Sequence, residues 1–185
     1  MVIRARKLLT ITVLIFIGVI GWQAASLYLS IQPAFEKLEN EVPKNRDVYA
    51  SEAHIHKLLF NASQTNQMKP TDFLARDALV FESEEGMVVH QLKRFILARK
   101  LTANFSQDDL LVHWLSTVYL GHGEYGLETT PQSLFGKDSR YLSQNETLAI
   151  AALIKSPNRY RNDIALWENH QNSLLRNLQN ATANP

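Results

Sequence analysis

Gly121-His122-Gly123-Glu124-Tyr125-Gly126 sets an imidazole, a carboxylate and a phenol among three glycines. The spacing matches G-x-G-x-x-G, the pattern that lets a dinucleotide's pyrophosphate approach the backbone at a helix N-terminus. That site needs a strand before the loop and a helix after it, whereas here a helical pattern precedes the loop and Pro131 follows it. His122-x-Glu124 also has the spacing of a zinc deaminase, but a chain with no cysteine has no paired thiolate ligands to offer. What is left is conformational: glycines that permit positive φ or close backbone approach at a tight turn.

Other reactive types are scattered. His54-x-His56 has the spacing of two metal ligands, but no third ligand accompanies it, and no metal site is expected. Glu82, Glu84 and Glu85 precede a helical pattern starting near Val88, where the helix dipole favours acidic groups on structural grounds alone. Cations cluster at Lys93, Arg94, Arg99 and Lys100, and again at Lys155, Arg159 and Arg161.

The elements that must position these groups are best defined around the glycine loop. Leu110, Leu111, Trp114, Leu115 and Val118 recur at helical spacing behind a Ser106/Asp109 capping box. Ser143 and Glu146 repeat that signature ahead of Leu148, Ala149, Ala151, Ala152 and Leu153, and Pro157 is expected to end the second helix. Val89, Leu92, Phe95 and Ile96 predict a core stripe on an earlier helix, with Lys93 and Arg94 exposed. Ile164, Leu166, Trp167, Leu174, Leu175 and Leu178 predict a final amphipathic helix packed on the domain.

Taken together, Leu115-Ser116-x-x-Tyr119-Leu120-Gly121-x-Gly123-x-Tyr125-Gly126, then Leu134-Phe135-Gly136-Lys137, Leu142-Ser143-x-x-Glu146-x-Leu148-Ala149 and Ser156-Pro157-x-x-Tyr160 resemble the C-terminal half of a peptidoglycan glycosyltransferase domain of family 51. Such domains occur in bifunctional penicillin-binding proteins and in monofunctional biosynthetic transglycosylases. The resemblance runs without a gap from about Phe95 to Arg161. It implies a mainly α, lysozyme-like transglycosylase fold, here truncated, and a role in peptidoglycan synthesis with a lipid-linked disaccharide precursor or glycan strand as ligand.

The start of the chain fits that setting. Arg4, Arg6 and Lys7 precede residues 8–29, an uncharged stretch long enough to cross a hydrocarbon core. The basic head predicts a cytoplasmic N-terminus, a single-pass anchor and an extracytoplasmic domain; by resemblance, the membrane is a bacterial inner one and the domain periplasmic. A cleaved signal peptide is the less favoured reading, because the apolar run is long for one. Without the head, sixteen basic residues face eighteen acidic ones, a net of −2, which excludes a nucleic-acid-type basic field. The expected organisation is a head at 1–7, an anchor at 8–29, a stalk at 30–47, the domain at 48–180 and a frayed tail at 181–185.

The N-terminal half departs from the family. The resemblance implies a catalytic Glu in E-D-x-x-F-x-x-H-x-G, a G-x-S-T-x-x-Q-Q segment and a second Glu in R-K-x-x-E; none is intact. The first motif has two placements. One takes Glu52 as the base, with Ala53 replacing its Asp neighbour; the other takes Asp77, followed by Phe81 and Gly86. Glu52 is preferred, because it leaves Gly86 to Gln91 to stand for the second segment, of which only Gln91 survives. Counting back from Ser106, Arg94 occupies the second carboxylate's position, and Ser116 replaces the asparagine of Y-L-N. A plain structural alternative for Glu52 is an exposed carboxylate near the start of a helix.

Catalysis on this plan needs a carboxylate to take the acceptor hydroxyl's proton and cations to receive a diphosphate. Glu52, or Asp77 in its stead, is the expected base. Gln91, Lys93, Arg94, Arg99, Ser116, Gly121, Gly123 and Tyr125 are the expected substrate contacts. A divalent cation such as Mg²⁺ is implied only for an active enzyme. The losses predict a domain kept for binding lipid-linked disaccharide, glycan or a cell-wall synthase rather than for turnover. The alternatives are an active reduced transglycosylase and a purely structural or partner-binding membrane protein.

Overall fold

The computed structural model describes residues 2–44, 47–61, 69–79 and 85–183. Met1 of the expected head, Phe81, Glu82, Glu84, and Asn184 and Pro185 of the expected tail lie outside them. The chain is mainly α. Helix α1 (Val2–Ser30) meets α2 (Gln32–Glu41) at a one-residue break; α3 (Ala50–His56) runs into a π-helical turn over Lys57–Asn61. Then come α4 (Pro70–Ala78), α5 (Met87–Asn104) and α6 (Gln107–Thr117). A two-stranded antiparallel hairpin, β1 (Tyr119–Gly121) and β2 (Glu124–Tyr125), leads into α7 (Gly126–Phe135). A 3₁₀ turn at Ser139–Tyr141, α8 (Gln144–Leu153), α9 (Pro157–Asn162) and α10 (Ile164–Ala183) complete it.

The local signals around the loop act as expected. Ser106 Oγ accepts from Asp109 N at 3.1 Å and opens α6; Ser143 Oγ accepts from Glu146 N while Glu146 Oε2 accepts from Ser143 N at 2.8 Å, opening α8. Pro157 differs: α8 has already ended at Leu153, and Pro157 sits in the first turn of α9, where a missing N–H costs nothing. Helix α10 docks on α8, with the Trp167 indole N–H donating to Ala149 O at 2.8 Å. Its backbone stays helical to Ala183, beyond the expected start of fraying.

Within the stretch expected as a stalk, Ile31, Phe35, Leu38 and Val42 are buried, and the Phe35 ring lies 6.3 Å from that of Phe105. Four apolar side chains on one side of a short helix are worth too much as burial to stand in solvent. On α5 the buried residues are His90, Leu97, Ala98 and Leu101, while Val89, Leu92 and Phe95 are exposed. The face packed on α4 is rotated away from the predicted stripe.

Helix α1 is the one element among the described residues long and apolar enough to cross a membrane. Its described side chains stand almost entirely outside the packed core. That core gathers α2, α3, α4, α5, α6 and α8, with Leu97, Leu101, Leu110, Leu115, Leu120, Ile150 and Leu153 completely or almost completely inaccessible.

Candidate functional site

The glycine loop is a hairpin turn locked from behind. Gly121, His122, Gly123 and Gly126 all have positive φ. A strand does precede the loop and a helix follows it, contrary to the sequence expectation, and Pro131 lies inside α7. Among the described residues the sheet is nevertheless a lone antiparallel hairpin, not the parallel βαβ unit of a dinucleotide fold. Gly126 is where the backbone comes closest: a Cβ there would lie 2.1 Å from the Ser116 carbonyl oxygen. Asn158 Oδ1 accepts from the Tyr119 hydroxyl at 2.6 Å and from His122 N at 3.2 Å, and Glu124 pairs with Arg161. The polar residues of the loop thus tie it to α9. Tyr125 turns outward, its ring 5.0 Å from that of Tyr119.

Glu52 sits at the third position of α3, and its carboxylate accepts from Tyr49 N at 2.8 Å. It is 2% exposed, so the reading of an exposed carboxylate holds for its place on the helix but not for its environment. It lines a cleft of about 580 Å³ together with Glu41, His113, Ser116, Glu128, Asp138 and Arg140. Apolar walls come from Pro43, Val112 and Leu127. Arg140 is held by Asp138 through two bonds of 2.9 Å, from Nε to Oδ1 and from Nη2 to Oδ2. Those bonds hold the Asp138 carboxyl down to about 2. Burial pushes the His113 imidazole below its ordinary value, and Lys37 pushes the same way; Glu41, with a carboxylate oxygen 3.9 Å from Nε2, opposes them. The cleft's surplus charge is therefore negative.

Of the expected contacts, Ser116 alone joins Glu52 in this cleft; its hydroxyl donates to His113 O at 2.8 Å. Gln91, Lys93, Arg94 and Arg99 all lie on α5, outside the lining. Lys93 Nζ is 2.7 Å from Glu85 in a second, smaller cleft of about 330 Å³ against Ser30, Pro33 and Ala34. Lys93 and Arg94 are partly covered rather than merely exposed. The Arg94 Nη1 group donates to Gln91 Oε1 at 3.3 Å, and the Arg99 guanidinium covers the Phe95 ring at 5.3 Å. Gly121 is buried against Pro157 and Arg161, and Gly123 is exposed at the hairpin tip. Asp77, on α4, is exposed and paired with its neighbour Arg76 at 2.7 Å.

Glu41, His113, Glu128, Asp138 and Arg140 had no part in the sequence reading. His113 carried a signal, as the lone polar residue inside Leu110-Leu111-Val112-His113-Trp114-Leu115; the others come from elements that only folding brings together. His54 and His56 are half-buried, and the described residues bring no three His, Cys, Asp or Glu together in a way that could hold a metal ion.

Comparison with known proteins covers the same segment. The transglycosylase family profile matches residues 71–179, which includes Asp77 and leaves Glu52 outside. Penicillin-binding protein 2a of Streptococcus pneumoniae is 27% identical over 110 residues, 58% of this chain and 15% of the relative. Penicillin-binding protein 2D of Bacillus subtilis is 38% identical over 61 residues, 33% of this chain and 9% of the relative. Penicillin-binding protein 1A of Escherichia coli is 33% identical over 90 residues, 49% of this chain and 10% of the relative. The match thus spans 15% or less of each relative's length. With more than half of its residues inside the family profile, and with a mainly α, lysozyme-like architecture, this chain belongs to the transglycosylase family.

Proposed function

We propose that this chain is a membrane-anchored, peptidoglycan glycosyltransferase-like protein that binds the saccharide of a lipid-linked precursor or of a glycan strand without polymerising it. The observation that carries the reading is the separation of charge. Glycan polymerisation forms a bond between a sugar 4-hydroxyl and an anomeric carbon as the bond from that carbon to polyprenyl diphosphate breaks. A carboxylate must take the hydroxyl proton and cations must receive the diphosphate at the same centre. Around Glu52 stand Glu41, Glu128 and Asp138, and the one guanidinium there is already held by Asp138. The cations expected to meet a diphosphate are on α5 instead. Like charges facing a diphosphate would repel it, whereas carboxylate and hydroxyl acceptors suit the hydroxyls of an uncharged sugar.

One observation favours the second reading, an active reduced transglycosylase. Glu52 is buried, lines the larger of the two clefts described here and sits in one lining with His113, as a general base should. Asp77 is the competing base, because the family match contains it. In either case α1 would serve as the anchor, with the basic head on the cytoplasmic side and the domain outside, where a cell-wall synthase could also be met.

Purified lipid-linked disaccharide offered to the detergent-solubilised full-length protein tests both readings, with polymer and saturable binding followed in the same samples. Binding without polymer, weakened by Glu52→Gln, is expected. Polymer lost in Glu52→Gln or in Asp77→Asn would establish the enzyme and name its base. Neither polymer nor binding would leave a structural or partner-binding role.

A further inference from the structure

The larger cleft carries more negative charge than an uncharged sugar would neutralise. Glu41, Glu52, Glu128 and Asp138 line it with Arg140, and Asp138 already takes the guanidinium through two bonds of 2.9 Å. Among the described residues no lysine or arginine pairs with Glu41 or Glu128. Lys37 is near enough to act on His113, but it lines the smaller cleft. Glu41 and Glu128 therefore bring charge to one space without a cation of the protein to offset it, and a cationic ligand is the one such a space attracts.

Carboxylates at a rim can be no more than a solvated edge, but a buried imidazole stands with these. The His113 side chain is 7% exposed, lines the cleft and makes no hydrogen bond among the described residues. Its Nε2 stands 3.9 Å from a Glu41 oxygen, beyond hydrogen-bond reach. Burial pushes the imidazole below its ordinary value, so at neutral pH it is uncharged and the two form no ion pair. A group seated between them completes both. A hydroxyl can bridge the gap by donating to the carboxylate and accepting from an imidazole N–H, yet it brings no charge. An ammonium donates to both and offsets Glu41 and Glu128 as well, through charge-assisted bonds. The rest of the cleft suits a sugar ring: Pro43, Val112 and Leu127 are apolar, Tyr49 is aromatic, and the volume of about 580 Å³ is that of a small-ligand site.

We propose that this cleft takes a hexosamine whose nitrogen is a free ammonium, set between Glu41 and His113 with Glu128 as a further charge partner, in preference to the N-acetylated sugar. Acetylation turns three charged N–H donors into one neutral donor and adds an acyl group, so it removes what the two carboxylates would pair with. The inference rests on the saccharide reading for the class of ligand and adds the state of its nitrogen. It does not depend on whether the domain turns substrate over.

Calorimetry on the detergent-solubilised full-length protein tests it, just below neutral pH, where a sugar amine is protonated. The probes are three β-1,4-linked tetrasaccharides: tetraglucosamine, its fully N-acetylated form and cellotetraose. Tetraglucosamine should bind about tenfold tighter than either of the others. Glu41→Gln and Glu128→Gln keep the side-chain shape and remove the charge, and each should bring the three affinities together. Glu168→Gln, an equal loss of charge on the exposed face of α10, should leave the preference as it was. Equal or tighter binding of the N-acetylated tetramer overturns the ammonium and leaves the saccharide reading standing. A preference that survives both cleft variants, or that falls as far in Glu168→Gln, is attraction to the molecule's overall charge and overturns the site. Spermidine that displaces tetraglucosamine at equal concentration would mean that any amine is taken, and overturns the sugar. Binding of none of the three overturns the saccharide reading and this proposal with it.

Discussion

Gly126 and Gly123 belong to the same loop and share a positive φ, yet they carry different loads. At Gly126, with φ 73°, a Cβ would meet the Ser116 carbonyl oxygen at 2.1 Å, and that carbonyl belongs to the chain turning from α6 into the hairpin. Neither backbone has room to retreat, because Gly126 N also donates to Val118 O at 2.8 Å. At Gly123, with φ 81°, nothing lies within 4 Å. Gly126→Ala is therefore expected to cost about 3 kcal/mol, from left-handed strain and overpacking together. Gly123→Ala should cost about 1 kcal/mol, from the strain alone. Urea unfolding midpoints of the two variants against the parent check this; equal shifts would mean that Gly126 is not held against Ser116.

Helix α2 shows at the scale of an element why composition misleads. Pro33, Pro43 and the charges in and around it suggest a linker, yet Ile31, Phe35, Leu38 and Val42, in and beside the helix, are buried, and the segment meets α5 and Phe105. A soluble form that begins at Ser30 keeps all four and should unfold cooperatively on heating. One that begins at Val48, at the expected domain boundary, loses four buried apolar side chains. At about 1.5–3 kcal/mol each, that exceeds much of the stability a domain of this size holds. Calorimetry should show one sharp transition for the longer form and a broad or absent one for the shorter; two equally sharp transitions would restore 30–47 as a stalk. The converse error occurs on α5. Val89, Leu92, Phe95 and Ile96 have the period of a buried stripe, but period records that a face is apolar and not whether the fold covers it.

At the scale of the whole molecule, four histidines act together. Burial is the first cause pushing His54, His56, His113 and His170 below their ordinary value; Lys57 and Lys155 add to it at His54 and His170, while Asp108 opposes it at His56. The unfolded chain therefore takes up protons at a higher pH than the folded one. Stability is full above the unfolded value of about 6.5 and is lost as pH falls below it. The thermal midpoint should drop between pH 7 and pH 5.5, and less so in His113→Gln, since His113 is the most buried of the four. A flat profile across that window would refute the assignment. Asp138 and Glu146 do not confuse the reading, because both are held down to about 2 by hydrogen bonds, from Arg140 and from Lys137 and Ser143 respectively, and their contribution fades only below pH 4.

What could be read along the chain is what local chemistry dictates. A serine followed three residues later by a carboxylate opens a helix wherever it stands, so α6 and α8 were legible to the residue at their starts. The apolar span of α1, the α10 pattern and the conformational role of the loop glycines were legible for the same reason, and the motifs from Phe95 to Arg161 were enough to recognise the family. The cleft was not. Glu41, Glu52, His113, Glu128 and Asp138 come from five separate stretches of chain, and their juxtaposition depends on how α2, α3, α6, α7 and the turn before α8 pack. Burial of Glu52 and exposure of Phe95 are likewise set by neighbours far apart in sequence. Charge, caps and period are carried by each segment alone; which side of a segment is covered, and which carboxylates share a space, is set by the contacts that folding makes between them.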